Sequence, residues 1–157
     1  MYFAGSSTLW GGAPCFIDTV ASPSTTALTR AWLITWGQFE DVVAQENGRS
    51  TPSIELGRGL DELEEGFSHP LGTGRYDNVL CLGRLEGHPV MAFTSPWTMA
   101  DAALGAPAPN YLEMLIDGLR ESRRMDDDAL VAYLGAAPGS SAELVSSVLG
   151  RPDRAVP

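Results

Sequence analysis

The sequence predicts an α+β fold: a small mixed, largely antiparallel β-sheet or barrel with flanking helices. Short apolar runs bounded by Gly, Pro and Ser occupy the N-terminal part of the 157 residues, and helix-type periodicity follows them. Strands that precede helices, rather than alternating with them, are typical of this class. The length suits one domain with its own core, so we predict a single domain over 1–150 and a frayed tail over 151–157.

Five segments have the composition of strands. They are 1–4, 13–17, 28–35, 75–82 and 89–94. Residues 84–88, which include Gly87, are predicted to link the last two strands as a hairpin. Residues 48–74 are rich in Gly, Pro and acid and are predicted to be a long loop with one or two helical turns at 60–65, as in a lid or a binding segment.

A helix is predicted between Thr35 and Gly48. Thr35 with Gln38 three residues later forms a capping-box pattern, and Asn47-Gly48 is a left-handed stop signal. These signals place Glu46 in the last turn of the helix.

Glu46 is the principal candidate for chemistry. Phe39, Val42 and Val43 form an apolar stripe at i, i+3 and i+4, and Glu46 occupies its next position, i+7. A desolvated carboxyl has a raised pKa and can carry protons near neutrality. The alternative is that a glutamate in the last turn swings to the rim of the core and stays in water.

Three further helices are predicted in the C-terminal part. Pro109 opens the first, whose stripe consists of Leu112, Leu115, Ile116 and Leu119. Asp126 to Asp128 start a second helix that runs through Leu134, and their charges suit its N-terminal dipole. Ser140 with Glu143 is predicted to cap a last helix over 142–149.

Charge and composition exclude several classes of function. The net charge of −10 and the pI near 4.4 oppose binding to nucleic acid or anionic membranes, so neither is an expected partner. All ten basic residues are arginine, which excludes Schiff-base chemistry and a P-loop lysine. There is no signal-peptide pattern and no apolar run near 18 residues, so we expect a cytoplasmic protein.

The cysteines and histidines do not suggest a metal site. Cys15 and Cys81 lie far apart in apolar stretches and are predicted to be buried free thiols. His69 and His88 each adjoin a proline in a predicted loop, without a partner at metal-ligand spacing. We therefore predict no metal and no cofactor.

Several short motifs follow one another along residues 1–135. Trp10-Gly11-Gly12 precedes a strand, Gln45-Glu46-Asn47-Gly48 ends a strand–helix unit, Gly74-Arg75-Tyr76 opens the next strand, and 107–111 starts a helix with Gly118 near its end. In this order they resemble the gamma-glutamylcyclotransferase-like proteins, and the Tyr2-Phe3-Ala4 strand is similar to that of actinobacterial members.

The resemblance implies a barrel-like fold and an intramolecular ring closure. In such a reaction the substrate's own amine attacks a carbonyl, closes a five-membered lactam and expels an amine. Glu46 would be the catalytic acid/base, since burial narrows the gap between a glutamate of pKa about 4.3 and an ammonium near 8. The candidate substrate-binding residues are Tyr76, Gln45, Tyr2, Ser6, Ser7, Trp10 and Thr94.

One part of the family pattern is not matched. Family members begin with a strand and a Tyr-Gly-Ser-Asn loop that holds the substrate carboxylate, and residues 1–18 fit the internal strand better than that module. We therefore expect a fold that is incomplete at the N-terminus by ~50 residues. An open barrel edge invites pairing, so a second small protein, or another copy of the chain, is expected to complete the site.

The functional expectation is a cofactor-independent enzyme, or catalytic subunit, that closes a nitrogen ring on an amine-containing small molecule. Without the carboxylate-binding loop, a specialised natural-product pathway is favoured over gamma-glutamyl amides. The alternatives are a gamma-glutamyl amide cyclotransferase proper, a non-catalytic scaffold or chaperone subunit, and a small-molecule binding protein.

Overall fold

The computed structural model describes residues 1–50 and 54–151, and the chain divides into two compact units. Unit 1 comprises Met1–Phe16 and the described residues from Met99 onward, and unit 2 comprises Ile17–Thr98. The described residues form four α-helices and two antiparallel sheets, which confirms the α+β class. None of the described helices has the length and apolar character needed to cross a membrane.

Unit 1 packs three helices against a short strand pair. Strand β1 (Tyr2–Phe3) pairs antiparallel with β2 (Cys15–Phe16), and the helices are α2 (Pro109–Arg123), α3 (Asp127–Gly135) and α4 (Ala142–Leu149). Apolar side chains from these elements form one core; its buried members are Phe3, Ala13, Leu112, Ile116, Leu130, Leu134, Ala137, Val145 and Val148. The stripe predicted for α2 supplies two buried residues, and Leu115 and Leu119 pack at the edge of the core.

Local capping explains where these helices begin. Pro109 occupies the first turn of α2, and the Asp126 side chain accepts a 2.9 Å hydrogen bond from the Ala129 N–H at the start of α3. The cap of α4 is Ser141, which accepts from the Leu144 N–H at 3.2 Å, so the prediction of Ser140 was wrong by one residue. The Ser140 hydroxyl oxygen is buried and has no hydrogen-bond partner among the described residues.

Unit 2 is built on a three-stranded antiparallel sheet of β3 (Ser68–Pro70), β4 (Asn78–Leu85) and β5 (His88–Thr94), in the order β3-β4-β5. Short 3₁₀ helices lie at Leu60–Glu62 in this unit and Met99–Asp101 in unit 1. The predicted hairpin is confirmed: Glu86 and Gly87 connect β4 to β5, both with positive φ, as a type I′ turn requires.

Helix α1 (Trp36–Glu46) also belongs to unit 2, and both predicted end signals are present. The Thr35 hydroxyl accepts from the Gln38 N–H at 3.3 Å, and the Gln38 side chain accepts from the Thr35 N–H at 2.9 Å. The left-handed stop is made by Gly48, with φ +64°, after Asn47 has closed the helix. The unit 2 core joins the helix to the sheet; its buried members are Phe39, Val43, Ile54, Leu56, Leu63, Val79 and Cys81.

Three predictions require correction or restriction. The sheets do not close into a barrel within the described residues, because 28–35, predicted as a strand, has no regular secondary structure and pairs with no described strand. His69 lies in β3 and His88 is the first residue of β5, so neither lies in a loop as predicted. Of the predicted tail only Arg151 is described, and its guanidinium contacts the Glu113 carboxylate at 2.8 Å; 152–157 lie outside the described residues.

Because of the Cys15 thiol, the stability of unit 1 is expected to fall as the pH rises through the alkaline range. Burial raises the pKa of the Cys15 thiol from its ordinary 9.0 to about 11. The unfolded chain therefore loses this proton before the folded protein does, so the stabilisation is fully present below pH 9 and is lost as the pH rises toward about 11. At about 1.36 kcal/mol per pKa unit, the loss is at most roughly 3 kcal/mol.

Urea unfolding at pH about 8.5 and about 10.5 measures this loss. A Cys15→Ala variant is the matched control, and the chain has no lysine to titrate in the same range. We expect the wild type to lose more stability than the variant between the two pH values. Equal losses would contradict the assignment to Cys15.

Candidate functional site

The predicted site residues fall into two groups, one in each unit. Tyr2, Ser6, Ser7 and Trp10 belong to unit 1, and Gln45, Glu46, Tyr76 and Thr94 belong to unit 2. Only the second group contains the proposed proton carrier, so the candidate site is built on unit 2.

In unit 1, Tyr2 lies in β1, and Ser6, Ser7 and Trp10 lie in the connection between β1 and β2. The Ser7 N–H donates to the Gly12 carbonyl at 2.8 Å, and the buried Ser7 hydroxyl accepts from the Trp10 N–H at 3.3 Å. Tyr2 is fully buried with its ring 5.6 Å from that of Phe16, whereas Ser6 is exposed. Ser7 and Tyr2 thus have structural contacts that account for their positions.

Trp10 packs against the helix that follows in this unit. Its ring centroid lies 5.2 Å from that of Tyr111 in α2, and the Tyr111 hydroxyl accepts from the Cys15 N–H at 3.2 Å. The Trp10-Gly11-Gly12 motif therefore joins the β1–β2 connection to α2. A Cβ on Gly12 would lie 2.4 Å from the Ala108 nitrogen, which explains the second glycine of this motif.

Glu46 is exposed to solvent, so the prediction that it faces the core was wrong. The buried residues of α1 are Phe39, Val43 and Ala44, and Val42 is exposed. Because successive helical residues turn by about 100°, this face is centred near Val43 and leaves Glu46 beyond its edge. Gln45 is exposed as well, so both side chains project from the end of α1 into water.

Asn47 fastens this end of α1 to Tyr76. Its side-chain nitrogen donates to the Tyr76 carbonyl at 3.1 Å, and its side-chain oxygen accepts from the Tyr76 N–H at 3.2 Å. The same nitrogen donates to the Val43 carbonyl at 3.0 Å, within the last turn of the helix. We call these two hydrogen bonds between the Asn47 side chain and the Tyr76 backbone the Asn47 clip. The clip holds the backbone of Glu46, the neighbour of Asn47, at a fixed position relative to Tyr76.

The Tyr76 ring is half-buried against the sheet. Its centroid lies 5.7 Å from that of Phe93 in an edge-to-face arrangement with an interplanar angle of 82°. Backbone bonds to Asn47 and this ring contact fix Tyr76 on two sides. Tyr76 is thus the predicted binding residue that the structure brings next to the backbone around Glu46.

An ion pair between a buried carboxylate and a partly exposed guanidinium lies beside the Asn47–Tyr76 contact. The Asp77 carboxylate, 3% exposed, accepts from the Arg49 guanidinium at 2.5 Å and from the Gly74 N–H at 2.7 Å. A Cβ at Gly72 or Gly74 would lie 2.6 or 2.7 Å from the same carboxylate oxygen, so a larger residue at either position would displace the Asp77 side chain. Arg49 and Asp77 flank the Asn47–Tyr76 contact and tie the same two segments together.

Thr94 is buried, and its hydroxyl donates to the Ile17 carbonyl at 2.6 Å. That bond ties the end of β5 to the start of unit 2. The contact explains the burial of Thr94 without a substrate. We therefore place Thr94 among the residues that support the fold of this unit.

The candidate site thus consists of an exposed carboxylate and amide, Glu46 and Gln45, beside a rigidly held Tyr76 backbone. Such a carboxylate can exchange protons with a bound amine once water is excluded around it. Within 1–50 and 54–151, no group of three or more His, Cys, Asp or Glu side chains could hold a metal ion.

Sequence reasoning missed the two pairs that hold this site together. The sequence pattern indicates only a helix stop at Asn47 and no role for Asp77. The available signal was an acid placed directly before an apolar strand and preceded by two glycines, an arrangement that calls for a buried partner.

Removing Arg49 is expected to destabilise unit 2 more than removing the charge of its partner. Arg49→Met leaves the buried Asp77 carboxylate without its cation, at a cost of roughly 2–4 kcal/mol. In Asp77→Asn the remaining guanidinium, 38% exposed, still reaches water, so a cost of about 1–2 kcal/mol is expected. Chemical denaturation of both variants, with Arg151→Met of the exposed Glu113 pair as a control, measures the difference. Equal losses of unfolding free energy in the two variants would show that the difference in burial between Asp77 and Arg49 does not determine the cost.

The chain was compared with known proteins. No family model matches it, and no solved structure matches it. Among curated proteins it is similar to histone deacetylase 5 of Arabidopsis thaliana, with 29% identity over 145 residues. The aligned region covers 84% of this chain but 22% of that protein, so the chain spans about a fifth of the length of this relative.

Proposed function

We propose that this chain is a cofactor-independent ring-forming enzyme of the gamma-glutamylcyclotransferase-like type, in which Glu46 is the general base and acid. The observation that carries the proposal is the Asn47 clip, which holds the helix end bearing Glu46 against Tyr76. A positioned but accessible carboxylate suits a base that must meet the amine of an incoming substrate.

The reaction is an exchange of one C–N bond for another. Glu46 removes a proton from the substrate ammonium, and the free amine attacks a carbonyl carbon of the same molecule, closing a five-membered ring. The tetrahedral intermediate then loses the second proton of its ring nitrogen to water and collapses; its bond to the leaving amine breaks, and Glu46 returns the first proton to that amine. The products are a lactam and an amine, and Glu46 ends as the carboxylate it was at the start.

Because Glu46 lies in water, substrate or a partner must cover it before it can work as a base for an ammonium. Gln45 is exposed beside it and offers an amide donor and acceptor to the reacting groups. Proximity of amine and carbonyl within one molecule supplies the remaining advantage. A role in a specialised natural-product pathway remains part of the proposal.

A scaffold or chaperone subunit is the second candidate, and the exposed Trp32 and Leu33 favour it. A non-catalytic subunit needs docking surface rather than a desolvated base. The similarity to histone deacetylase 5 covers too small a part of that protein to argue for deacetylation here.

The test is release of p-nitroaniline from two chromogenic amides. One is gamma-glutamyl p-nitroanilide, and the other is 4-aminobutanoyl p-nitroanilide, which lacks the carboxylate. The N-acetyl derivative of each has no free amine, so it cannot cyclise and controls for simple hydrolysis. We expect turnover of the free amines only, with the lactam as co-product; no turnover of either amide above background would contradict the enzyme proposal and favour the scaffold.

A further inference from the structure

Unit 2 exposes three consecutive large apolar side chains directly before α1. Trp32 is 70% exposed, Leu33 83% and Ile34 45%. Single exposed apolar residues are common, but an uninterrupted run of this kind marks a surface that another molecule covers. We name residues 31–34 the docking segment.

The backbone of the docking segment is unpaired. None of its N–H or C=O groups makes a backbone hydrogen bond within the described part of the chain. Its residues have the composition of a β-strand, and in an extended chain Trp32 and Ile34 would share one face while Leu33 faces the other. Unpaired backbone groups on such a segment are a template for an added strand.

The docking segment has a cation–π contact near its start and a helix cap directly after its end. The Arg30 guanidinium lies over the Trp32 ring, 4.6 Å from its centroid, and Thr35 caps α1 immediately after Ile34. Because α1 fixes the C-terminal end, the segment loses less conformational entropy on pairing than a free loop would.

Charge decides which occupant is favoured. Ile17–Thr98 contains 11 of the 20 acidic residues and 5 of the 10 basic ones, and the whole chain has a net charge of −10. A second copy would bring ten more negative charges, whereas a basic polypeptide is attracted. Asp41 and Glu46 on α1 are exposed and lie shortly after the docking segment in sequence.

We propose that the docking segment pairs with an extended segment of a different polypeptide, apolar at alternate positions and flanked by basic residues. Backbone hydrogen bonds supply affinity, Trp32, Leu33 and Ile34 supply apolar contact, and the net negative charge of unit 2 selects for positive charge. This interaction does not depend on the chemistry proposed for Glu46.

The probe is a synthetic peptide of alternating valine and threonine with two lysines at each end. Fluorescence anisotropy measures its binding to the wild-type protein, and hydrogen exchange locates it. We expect binding below about 1 mM, at least tenfold weaker binding of a peptide with glutamates in place of the lysines, and slower amide exchange at 31–34. A peptide methylated on alternate backbone nitrogens is expected not to bind, because it cannot form the ladder.

Leu33→Asn is the test variant, and Leu9→Asn is its matched control, since both leucines are 83% exposed. We expect Leu33→Asn to weaken lysine-peptide binding at least tenfold and Leu9→Asn to leave it unchanged. Equal binding by both variants, or no binding at about 1 mM, would overturn the proposal. A dimer seen by light scattering that dissociates in Leu33→Asn would also overturn it, because a second copy would then be the occupant.

Discussion

Glu46→Gln is expected to reduce turnover of 4-aminobutanoyl p-nitroanilide by about 10²–10⁴-fold. Glutamine keeps the shape and hydrogen bonding of the side chain but cannot take the proton from the attacking amine. Because Glu46 is exposed, the free energy of unfolding is expected to change by less than about 0.5 kcal/mol. Steady-state kinetics and chemical denaturation on the same preparation measure both effects.

Asp41→Asn is the matched control for this variant. It removes the same charge from the same helix at an exposed position, and Asp41 has no place in the proposed site. Wild-type turnover in Asp41→Asn, together with loss in Glu46→Gln, would assign the effect to the proton carrier rather than to the field of the helix. Unchanged turnover in Glu46→Gln would remove Glu46 from the mechanism.

The elements that the sequence predicted well are those decided by local hydrogen bonds. The Thr35–Gln38 capping box and the Asp126 cap each join residues three positions apart, so the pattern itself contains both partners. The Glu86–Gly87 turn is local in the same way, because two left-handed residues suffice to define it.

The site depended on contacts that no local pattern contains. Asn47 and Tyr76 are 29 residues apart in sequence, and Arg49 and Asp77 are 28 apart. Which face of α1 is buried was also decided at long range, by the sheet that packs on Phe39 and Val43. A rotation of well under one residue's 100° separates the predicted inward Glu46 from the exposed one observed.

The prediction of a strand over 28–35 was wrong for a related reason. Its composition favours a strand, but a strand exists only where a neighbour completes the ladder, and no described strand pairs with it. Both proposals, although independent, expect another molecule to cover an exposed part of unit 2: Glu46 at the end of α1, and the docking segment before its start.

Gly139→Ala is expected to destabilise unit 1 by roughly 3–5 kcal/mol. Gly139 lies between α3 and α4 with φ +91°, a conformation that a residue with a Cβ rarely adopts. That Cβ would also lie 2.4 Å from the Phe3 carbonyl oxygen and 2.7 Å from the Gly105 carbonyl oxygen. Backbone atoms cannot rotate away as a side chain would, so the α3–α4 connection must move off β1.

Gly118→Ala makes the opposite prediction and serves as the control. Gly118 lies within α2, and no heavy atom lies within 4 Å of a Cβ built on it, so alanine gains helix propensity at no steric cost. We expect stabilisation of about 0.5–1 kcal/mol from urea unfolding. Similar changes in the free energy of unfolding for Gly139→Ala and Gly118→Ala would contradict this prediction. Both changes would then come from the reduced flexibility of the unfolded chain, and the close approach of Gly139 to β1 would not constrain unit 1.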